Sequence, residues 1–455
     1  MRGEERTETV IAGVLRAPDG GFGRGRVHVG GGVVTEVVAG DSPYAGPAEV
    51  IDVGDAYVLP GAVDAHVHSY SHGGEGLRAS TSAAAAGGVT TVVEMPFDAD
   101  GPINNRDRLA AKQDRIATEA VVDVAVLGTC EPGGGWRRAG ELVDAGVVGF
   151  KVSLFDTDPF RFPRIDDAEL LDVMAAVGEA GSTLCAHAEN NEIIKALLAD
   201  PANRASTDPG VHGRTRPPVS ETLGLLTAME IAADRGNALH LCHLSLGRSA
   251  DLVAWYRGQG VDVTFETCPH YLLFTEADMA DGRLKINPPL RGEADREAMW
   301  RAVGTGLATV IASDHAPWPL ELKDHAAILD NHSGTPGTET LVATALGGCL
   351  RRFGPGEAFG RAIDALTANP ADRYGIGHRK GRLEPGHDAD LMVLAPTEDW
   401  RVDAGALHSN AGWSPYEGYA PGARVTMTMS RGSVVWSAEK GLVGAPGHGE
   451  QVSRG

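Results

Sequence analysis

The chain has 455 residues, 42% hydrophobic and 22% charged, and this composition is typical of a folded globular protein rather than a disordered one. Its 61 acidic and 40 basic residues give a formal net charge of −21, which disfavours nucleic acid and anionic membrane surfaces as partners. The length suits one large domain with a smaller attachment.

The first ten residues, MRGEERTETV, are charged and lack the apolar run of a signal peptide. No stretch approaches the roughly 18 apolar residues that a membrane-spanning helix needs. The five cysteines are scattered and never form a C-x-x-C pair. We therefore expect a cytoplasmic protein whose cysteines are reduced and mostly fill the core.

Short β-rich segments broken by glycines occupy residues 1–57, and similar segments return near the C-terminus in ADLMVLAP and RVTMTMSRGSVVW. We expect the two chain ends to fold together. The predicted organisation is a discontinuous β-sandwich domain of residues 1–57 and 381–445 beside a catalytic domain of residues 58–380.

Eight apolar runs alternate with helical stretches between the two chain ends, from VLPGAVDAHVHS to LATVIASDHAP. This alternation is typical of repeated βα units with parallel strands. An open doubly wound sheet is the competing architecture, but no G-x-G-x-x-G follows an early strand. The predicted fold class is therefore α/β, a closed (β/α)8 TIM barrel with a small flanking β-sandwich.

Side chains that can bind metal ions stand near the carboxyl ends of five of these runs, the position of the active site in barrel enzymes. These residues are His66, His68, Lys151, His187, His243 and Asp314. His66 and His68 are two residues apart, so a strand points both to the same face. Each histidine alone is also compatible with a core residue that is hydrogen-bonded to a carbonyl.

Lys151 is the unusual member of this set, because an ammonium at this position would repel a metal ion and lose its hydration. Carbamylation by CO₂ would turn it into an anion able to bridge two ions about 3.5 to 4 Å apart. The carbamate, Asp314 and one hydroxide would leave two divalent ions with a net charge of about +1, suited to an oxyanion. The alternative is an ion pair with a neighbouring carboxylate such as Asp156.

The ordered strings VDAHVH, GFKVS, AHAEN, CHLS, CPHY and ASDHAP resemble those of the cyclic amidohydrolases, a group that includes allantoinases, hydantoinases or dihydropyrimidinases, and dihydroorotases. The resemblance extends over almost the whole chain, including KGRLEPGHDADLMV and WSPYEG. It implies a centre of two divalent ions, expected to be zinc, with His66 and His68 on one ion, His187 and His243 on the other, and carbamylated Lys151 as the bridge.

The resemblance further implies hydrolysis of a small cyclic amide by a homo-oligomer, expected to be a tetramer. Asp314 would ligate the metal and transfer protons as base and then acid. Asn287, in KINPPLR, would contact the substrate, although a turn asparagine before two prolines explains it equally well. His72 and Arg78 are further candidates for selecting the substrate, although surface loop positions explain them better, and His270 and His315 are expected to lie near the site.

Departures from the family patterns bear on the substrate. Dihydroorotases usually carry the pattern H-x-H-x-R, whereas this chain has Tyr70 at the position of the arginine. Hydantoinases usually place a tyrosine five residues after the bridging lysine, where this chain has Asp156 preceded by Phe155. Allantoinases typically lack both features, so elimination favours opening of allantoin to allantoate. Hydantoinase, dihydropyrimidinase or cyclic imide hydrolase activity stays open.

Two other classes of function are also compatible with the sequence. A metal-dependent deaminase on the same barrel would attack an exocyclic amine, and such enzymes generally use one metal and no bridging lysine. A catalytically silent relative would serve as a scaffold, but such relatives often lose metal ligands. The retained set of six ligands favours the hydrolase.

Overall fold

The computed structural model describes residues 8–17, 19–42 and 44–455, so residues 1–7 of the predicted N-terminal range lie outside it. The strands are β1 Thr9–Arg16, β2 Phe22–Gly30, β3 Val33–Ala39, β4 Glu49–Pro60, β5 Ala62–Val67, β6 Val89–Glu94, β7 Asp123–Gly128, β8 Gly149–Ser153, β9 Leu184–His187, β10 Leu239–Leu241, β11 Val263–Thr267, β12 Val310–Ile311, β13 Leu391–Pro396, β14 Ala423–Ser430, β15 Ser433–Ser437 and β16 Gly441–Leu442. The helices are α1 Gly76–Ala86, α2 Arg106–Glu119, α3 Ala139–Asp144, α4 Asp167–Glu179, α5 Asn191–Ala199, α6 Pro201–Arg204, α7 Val211–Thr215, α8 Pro218–Arg235, α9 Gly247–Gly258, α10 Pro269–Leu273, α11 Glu293–Thr305, α12 Leu341–Phe353, α13 Glu357–Leu366 and α14 Ala368–Arg373.

Strands β5 to β12 form a parallel barrel in which each strand pairs with the next along the chain. The ring closes where Val67, at the end of β5, pairs with His315, just after β12. Helices cover the outside, so the strands are buried on both faces and consist of apolar runs. The eight predicted runs correspond to these strands, and the predicted TIM barrel is confirmed.

The helices around the barrel begin at polar side chains and bury one apolar face. Helix α4 begins after Asp166, whose carboxylate accepts a hydrogen bond from the backbone N–H of Glu169. Leu170, Val173 and Val177 then lie on its buried face. None of the helices in the described ranges is long and apolar enough to cross a membrane.

The two chain ends form a second sheet of eight strands in the order β16-β15-β14-β13-β4-β1-β2-β3. Strands β4 and β13, one from each end, pair antiparallel at its centre. Val29 and Val34 from the first half share a core with Val393 and Met427 from the second half, separate from the barrel core. We call this unit the chain-end sheet.

A buried ionic cluster joins the barrel to the chain-end sheet. Lys380, between α14 and β13, contacts Asp123 at the start of β7, Asp388 at 2.8 Å and Asp390 at 2.9 Å. Arg431 Nε lies 3.2 Å from a second oxygen of Asp123. Burial opposes the charge on Lys380, but the carboxylates raise its pKa above the usual range. The cluster therefore links strand β7 to the segment before β13.

Candidate metal centre

One cavity of about 650 Å³ opens at the carboxyl ends of the barrel strands. All seven residues predicted for the site line it, namely His66, His68, Lys151, His187, His243, Asn287 and Asp314. The residues come from both halves of the barrel and meet only because the strands close into a ring. The structure therefore brings the six predicted metal ligands and Asn287 together in one cavity.

The ends of the strands determine where these side chains stand. His66 and Lys151 lie within β5 and β8, and His187 is the last residue of β9. His243 and Asp314 follow β10 and β12 with φ of 42° and 48°, the left-handed region that residues other than glycine rarely adopt. Strained backbone of this kind is often retained at functional sites.

Two groups of nitrogen and oxygen atoms converge in the cavity. His66 Nε2 lies 3.2 Å from His68 Nε2, and Asp314 Oδ1 lies 3.3 and 3.7 Å from these two atoms. Nearby, His187 Nδ1 is 3.1 Å from His243 Nε2. Such imidazole and carboxylate sets suit zinc and related divalent ions. The described residues thus contain a donor set for metal ions.

Burial controls the charge on these ligands. It lowers the pKa of His66 to about 4, and it holds the pKa values of His68 and His243 well below their usual range. The rings are therefore neutral at pH 7, as metal binding requires. Burial also raises the pKa of Asp314 to about 8, because nothing in the protein fully compensates its charge.

Lys151 is buried, and its Nζ has no hydrogen-bond partner among the described residues. The alternative of an ion pair with Asp156 does not occur, because Asp156 instead contacts Lys195 at 3.0 Å. The nearby Glu266 and Cys242 raise the pKa of Lys151 against its burial, but a buried ammonium without a hydrogen-bond partner is still costly. The position therefore fits a lysine whose amine is converted to a carbamate.

Glu266, on β11, belongs to the candidate site by its contacts and was not predicted from the sequence. Its Oε1 contacts His66 Nδ1 and accepts the backbone N–H of His243 at 3.2 Å, while its Oε2 lies 3.2 Å from His240 Nε2. The carboxylate thereby turns His66 Nε2 towards the cavity. A signal existed, because Glu266 follows an apolar run just as Asp314 does.

Glu189 plays the corresponding role for the second pair of histidines. Its Oε2 lies 2.9 Å from His187 Nε2, which directs His187 Nδ1 towards His243. Arg216 forms an ion pair with the same carboxylate. Burial opposes ionisation of Glu189, but Arg216, the hydrogen bond to His187 and the charge of Arg291 together outweigh burial and lower the pKa of Glu189 to about 2. Glu189 therefore stays ionised and holds His187 in one orientation.

Asn287 presents an unused acceptor to the cavity. Its Oδ1 is buried and has no hydrogen-bond partner in the part of the chain that the structure describes. Buried polar atoms are normally paired. This oxygen is therefore available to a ligand.

The four further candidate residues of the sequence differ in their surroundings. His72 stacks on Trp318 with ring centroids 5.4 Å apart, whereas Arg78 is exposed on α1. His315 is buried, and its Nδ1 accepts a backbone N–H. Both ring nitrogens of His270 are buried without a partner among the described residues. None of the four lines the cavity.

The upper wall of the cavity comes from loops and was not predicted. It contains Phe97, Arg161, Phe162 and Trp318. Loops carry no hydrophobic periodicity, so nothing in the sequence indicated which of their residues face the site.

The chain was compared with known proteins. The model of the amidohydrolase family matches residues 57–435. An allantoinase of Rubrobacter xylanophilus is 36% identical over 97% of this chain and 96% of its own length. An allantoinase of Deinococcus radiodurans is 32% identical over 94% and 95%.

Solved structures show the same architecture. The L-hydantoinase (dihydropyrimidinase) of Arthrobacter aurescens superposes with a TM-score of 0.92 at 28% identity, covering 98% of this chain and 99% of that one. The dihydropyrimidinase of Brevibacillus agri has a TM-score of 0.88 at 25% identity, covering 98% and 99%.

Proposed function

Because this chain belongs to the amidohydrolase family, we propose that it is a metal-dependent hydrolase that opens the ring of allantoin to give allantoate. The observation that carries the reaction type is the convergence of four histidines, Lys151 and Asp314 on one cavity. The choice of allantoin is supported by the relatives named allantoinase, which match nearly the whole chain. Asp156 also favours allantoin, because it stands five residues after Lys151, where hydantoinases usually have a tyrosine, and the preceding Phe155 offers no hydroxyl group.

We assign the metal ligands by proximity. His66 and His68 would hold one divalent ion, and His187 and His243 would hold a second. Lys151, as a carbamate, would lie between them and supply the missing negative charge. Zinc suits this donor set. Bound in this way, two divalent ions supply a polarised carbonyl and a water of lowered pKa.

The residues of the chain then handle the proton and the substrate. Asp314 stands next to the first histidine pair and would accept the proton of the attacking water. It would return that proton to the ring nitrogen as the amide bond breaks. Asn287 Oδ1 would accept a hydrogen bond from a ring N–H of the substrate, because it has no partner in the described protein.

A second candidate is a hydantoinase or dihydropyrimidinase. It is favoured by the TM-score of 0.92 to an L-hydantoinase across almost the whole chain. The two candidates would share the metal centre and differ in the substrate: a hydantoinase would open a five-membered ring that lacks the ureido group, and a dihydropyrimidinase a six-membered ring.

A turnover panel tests the proposal directly. The metal-loaded protein is offered allantoin, hydantoins, dihydrouracil, dihydroorotate and simple cyclic imides, and bound metal is measured per chain. We expect about two ions per chain and fastest opening of allantoin. About one ion with unmodified Lys151 would favour a deaminase, and a folded protein with no metal and no turnover would favour a silent scaffold.

Three features of organisation complete the proposal. The domain boundaries are residues 1–57 with 381–445 for the β-sandwich and 58–380 for the catalytic barrel. The assembly is a homotetramer, which light scattering can test. The location is cytoplasmic, and the five buried, unpaired cysteines are consistent with a reducing compartment.

A further inference from the structure

Arg161 is held rigidly in the wall of the cavity, in the loop between β8 and α4. Its Nε donates to Asp158 Oδ2 at 3.1 Å. Its Nη1 donates to the carbonyl oxygens of Ser71 at 2.9 Å and Phe97 at 3.4 Å. These contacts fix the guanidinium, and across the described residues Nη2 has no hydrogen-bond acceptor. Two N–H donors are therefore uncommitted.

Aromatic rings line the same cavity as this guanidinium. Phe97 and Phe162 stack with ring centroids 3.6 Å apart, and Phe162 lies 6.2 Å from the ring of His187. The Trp318 ring centroid lies 6.0 Å from the Arg161 guanidinium carbon. The space above the metal ligands is therefore lined by flat apolar surfaces beside one fixed cationic donor. This combination suits a planar group that carries an oxygen acceptor.

The charge of Arg161 limits what it can recognise. Asp158 compensates the guanidinium, so an approaching group need not be anionic. An alkyl or aryl group placed against Nη2 would displace its water and supply no acceptor, which is unfavourable. A neutral carbonyl oxygen, in contrast, would accept a charge-assisted hydrogen bond.

We propose that Arg161 is a specificity-determining residue whose Nη2 donates to the carbonyl oxygen of the ureido group on the allantoin ring. This inference rests on the proposed function. The ureido group is planar, neutral and rich in hydrogen-bonding atoms, and the unsubstituted hydantoin ring lacks it. Ser71 and Thr157, which also line the cavity, offer hydroxyl groups to the ureido N–H donors.

The test compares two substrates that differ only in the ureido group. We compare Arg161→Met with the unmodified enzyme on allantoin and on unsubstituted hydantoin, using fully metal-loaded protein. Arg164→Met is the matched control, because Arg164 lies in the same loop, pairs with Glu192 at 2.6 Å and does not line the cavity. Where hydantoin reacts too slowly, its inhibition constant against allantoin replaces kcat/KM.

We expect Arg161→Met to lower kcat/KM for allantoin by about 10- to 100-fold and to change the value for hydantoin by less than about 3-fold. Arg164→Met should leave both values within about 3-fold of the unmodified enzyme, because it removes a surface contact only. The melting temperature of each variant reports whether the loop and the fold are intact.

Equal losses on both substrates would show that Arg161 acts only on the shape of the site, and no loss on allantoin would show that it makes no contact with the ureido group. Both results overturn the inference while the proposed function stands. An unmodified enzyme that prefers hydantoins with apolar substituents over allantoin overturns the choice of allantoin in the proposed function, and the role of Arg161 with it. If the metal-loaded enzyme opens no cyclic amide, the proposed function is wrong, and the role of Arg161, which rests on that function, is wrong as well.

Discussion

Replacing Lys380 by methionine should destabilise the protein strongly although Lys380 is far from the cavity. The change removes the cation that contacts Asp123, Asp388 and Asp390 and leaves their carboxylates buried or nearly so. Breaking a buried ion pair by removing one partner typically costs about 3 to 5 kcal/mol. Arg431 still compensates Asp123 in part, so we expect about 3 kcal/mol, the lower end of that range.

The loss should depend on pH in a defined direction. Burial already raises the pKa of Asp390, and removing Lys380 should raise it further. In the variant the carboxyl group therefore binds a proton more readily in the folded state than in the unfolded state. The destabilisation should consequently be smaller at pH 5 than at pH 8.

Equilibrium urea unfolding measures this effect, followed by both circular dichroism and tryptophan fluorescence because two domains need not unfold together. Lys440→Met is the control, since Lys440 is exposed between β15 and β16, and it should change stability by less than about 0.5 kcal/mol. Adding Asp390→Asn to Lys380→Met should recover part of the loss. A loss below about 1 kcal/mol, independent of pH, would refute the view that this cluster joins the two units.

The other predictions concern the metal centre. Asp314→Asn should keep much of the bound metal but lower kcat by about 100-fold or more. Near-normal turnover of this variant would show that Asp314 does not transfer the proton. Lys151→Ala should lose bound metal and activity, and a short carboxylic acid in the buffer should restore both. The control Lys195→Ala should stay active. Activity of Lys151→Ala without the acid would contradict a carbamate on Lys151. Glu266→Gln should weaken metal binding about 10- to 100-fold in chelator competition, and unchanged affinity would count against its orienting role. The folded-state pKa of Glu189 is lowered to about 2, so ionised Glu189 stabilises the folded protein above pH 4.5, and this contribution of up to about 3 kcal/mol is lost as the pH falls towards 2. In urea unfolding, the stability of Glu189→Gln should therefore fall less steeply with acid than that of the unmodified protein. An equal slope for the two proteins would argue against this role of Glu189.

The barrel and the ligands could be predicted because of how parallel strands are buried. Both faces of a barrel strand are covered, so a polar residue at the end of an apolar run needs a specific reason. His187, His243 and Asp314 each stand in this position. Their meeting in one cavity follows from the closure of the ring, which the count of eight runs indicated.

The parts that escaped prediction depend on contacts between distant residues. Glu266 carries the same signal as Asp314, but its partners His66 and His240 lie on two other strands and become visible only once the barrel closes. Trp318 is held by Trp413, whose Nε1 donates to its carbonyl oxygen at 2.8 Å across 95 positions of the chain. Local sequence patterns do not contain such information, so the grouping of the predicted metal-binding residues in one cavity was predictable and the loop wall of that cavity was not.

The pairing of β4 with β13 has a consequence for synthesis on the ribosome. The whole barrel is translated between these two strands, which takes roughly 15 to 70 s at typical rates. During that interval β4 has an open edge whose backbone groups can pair with other chains. Asp52 and Asp55 place negative charge on this strand, and Pro60 removes a donor at its end. The nascent chain thus carries its own protection against aggregation until its partner strand emerges.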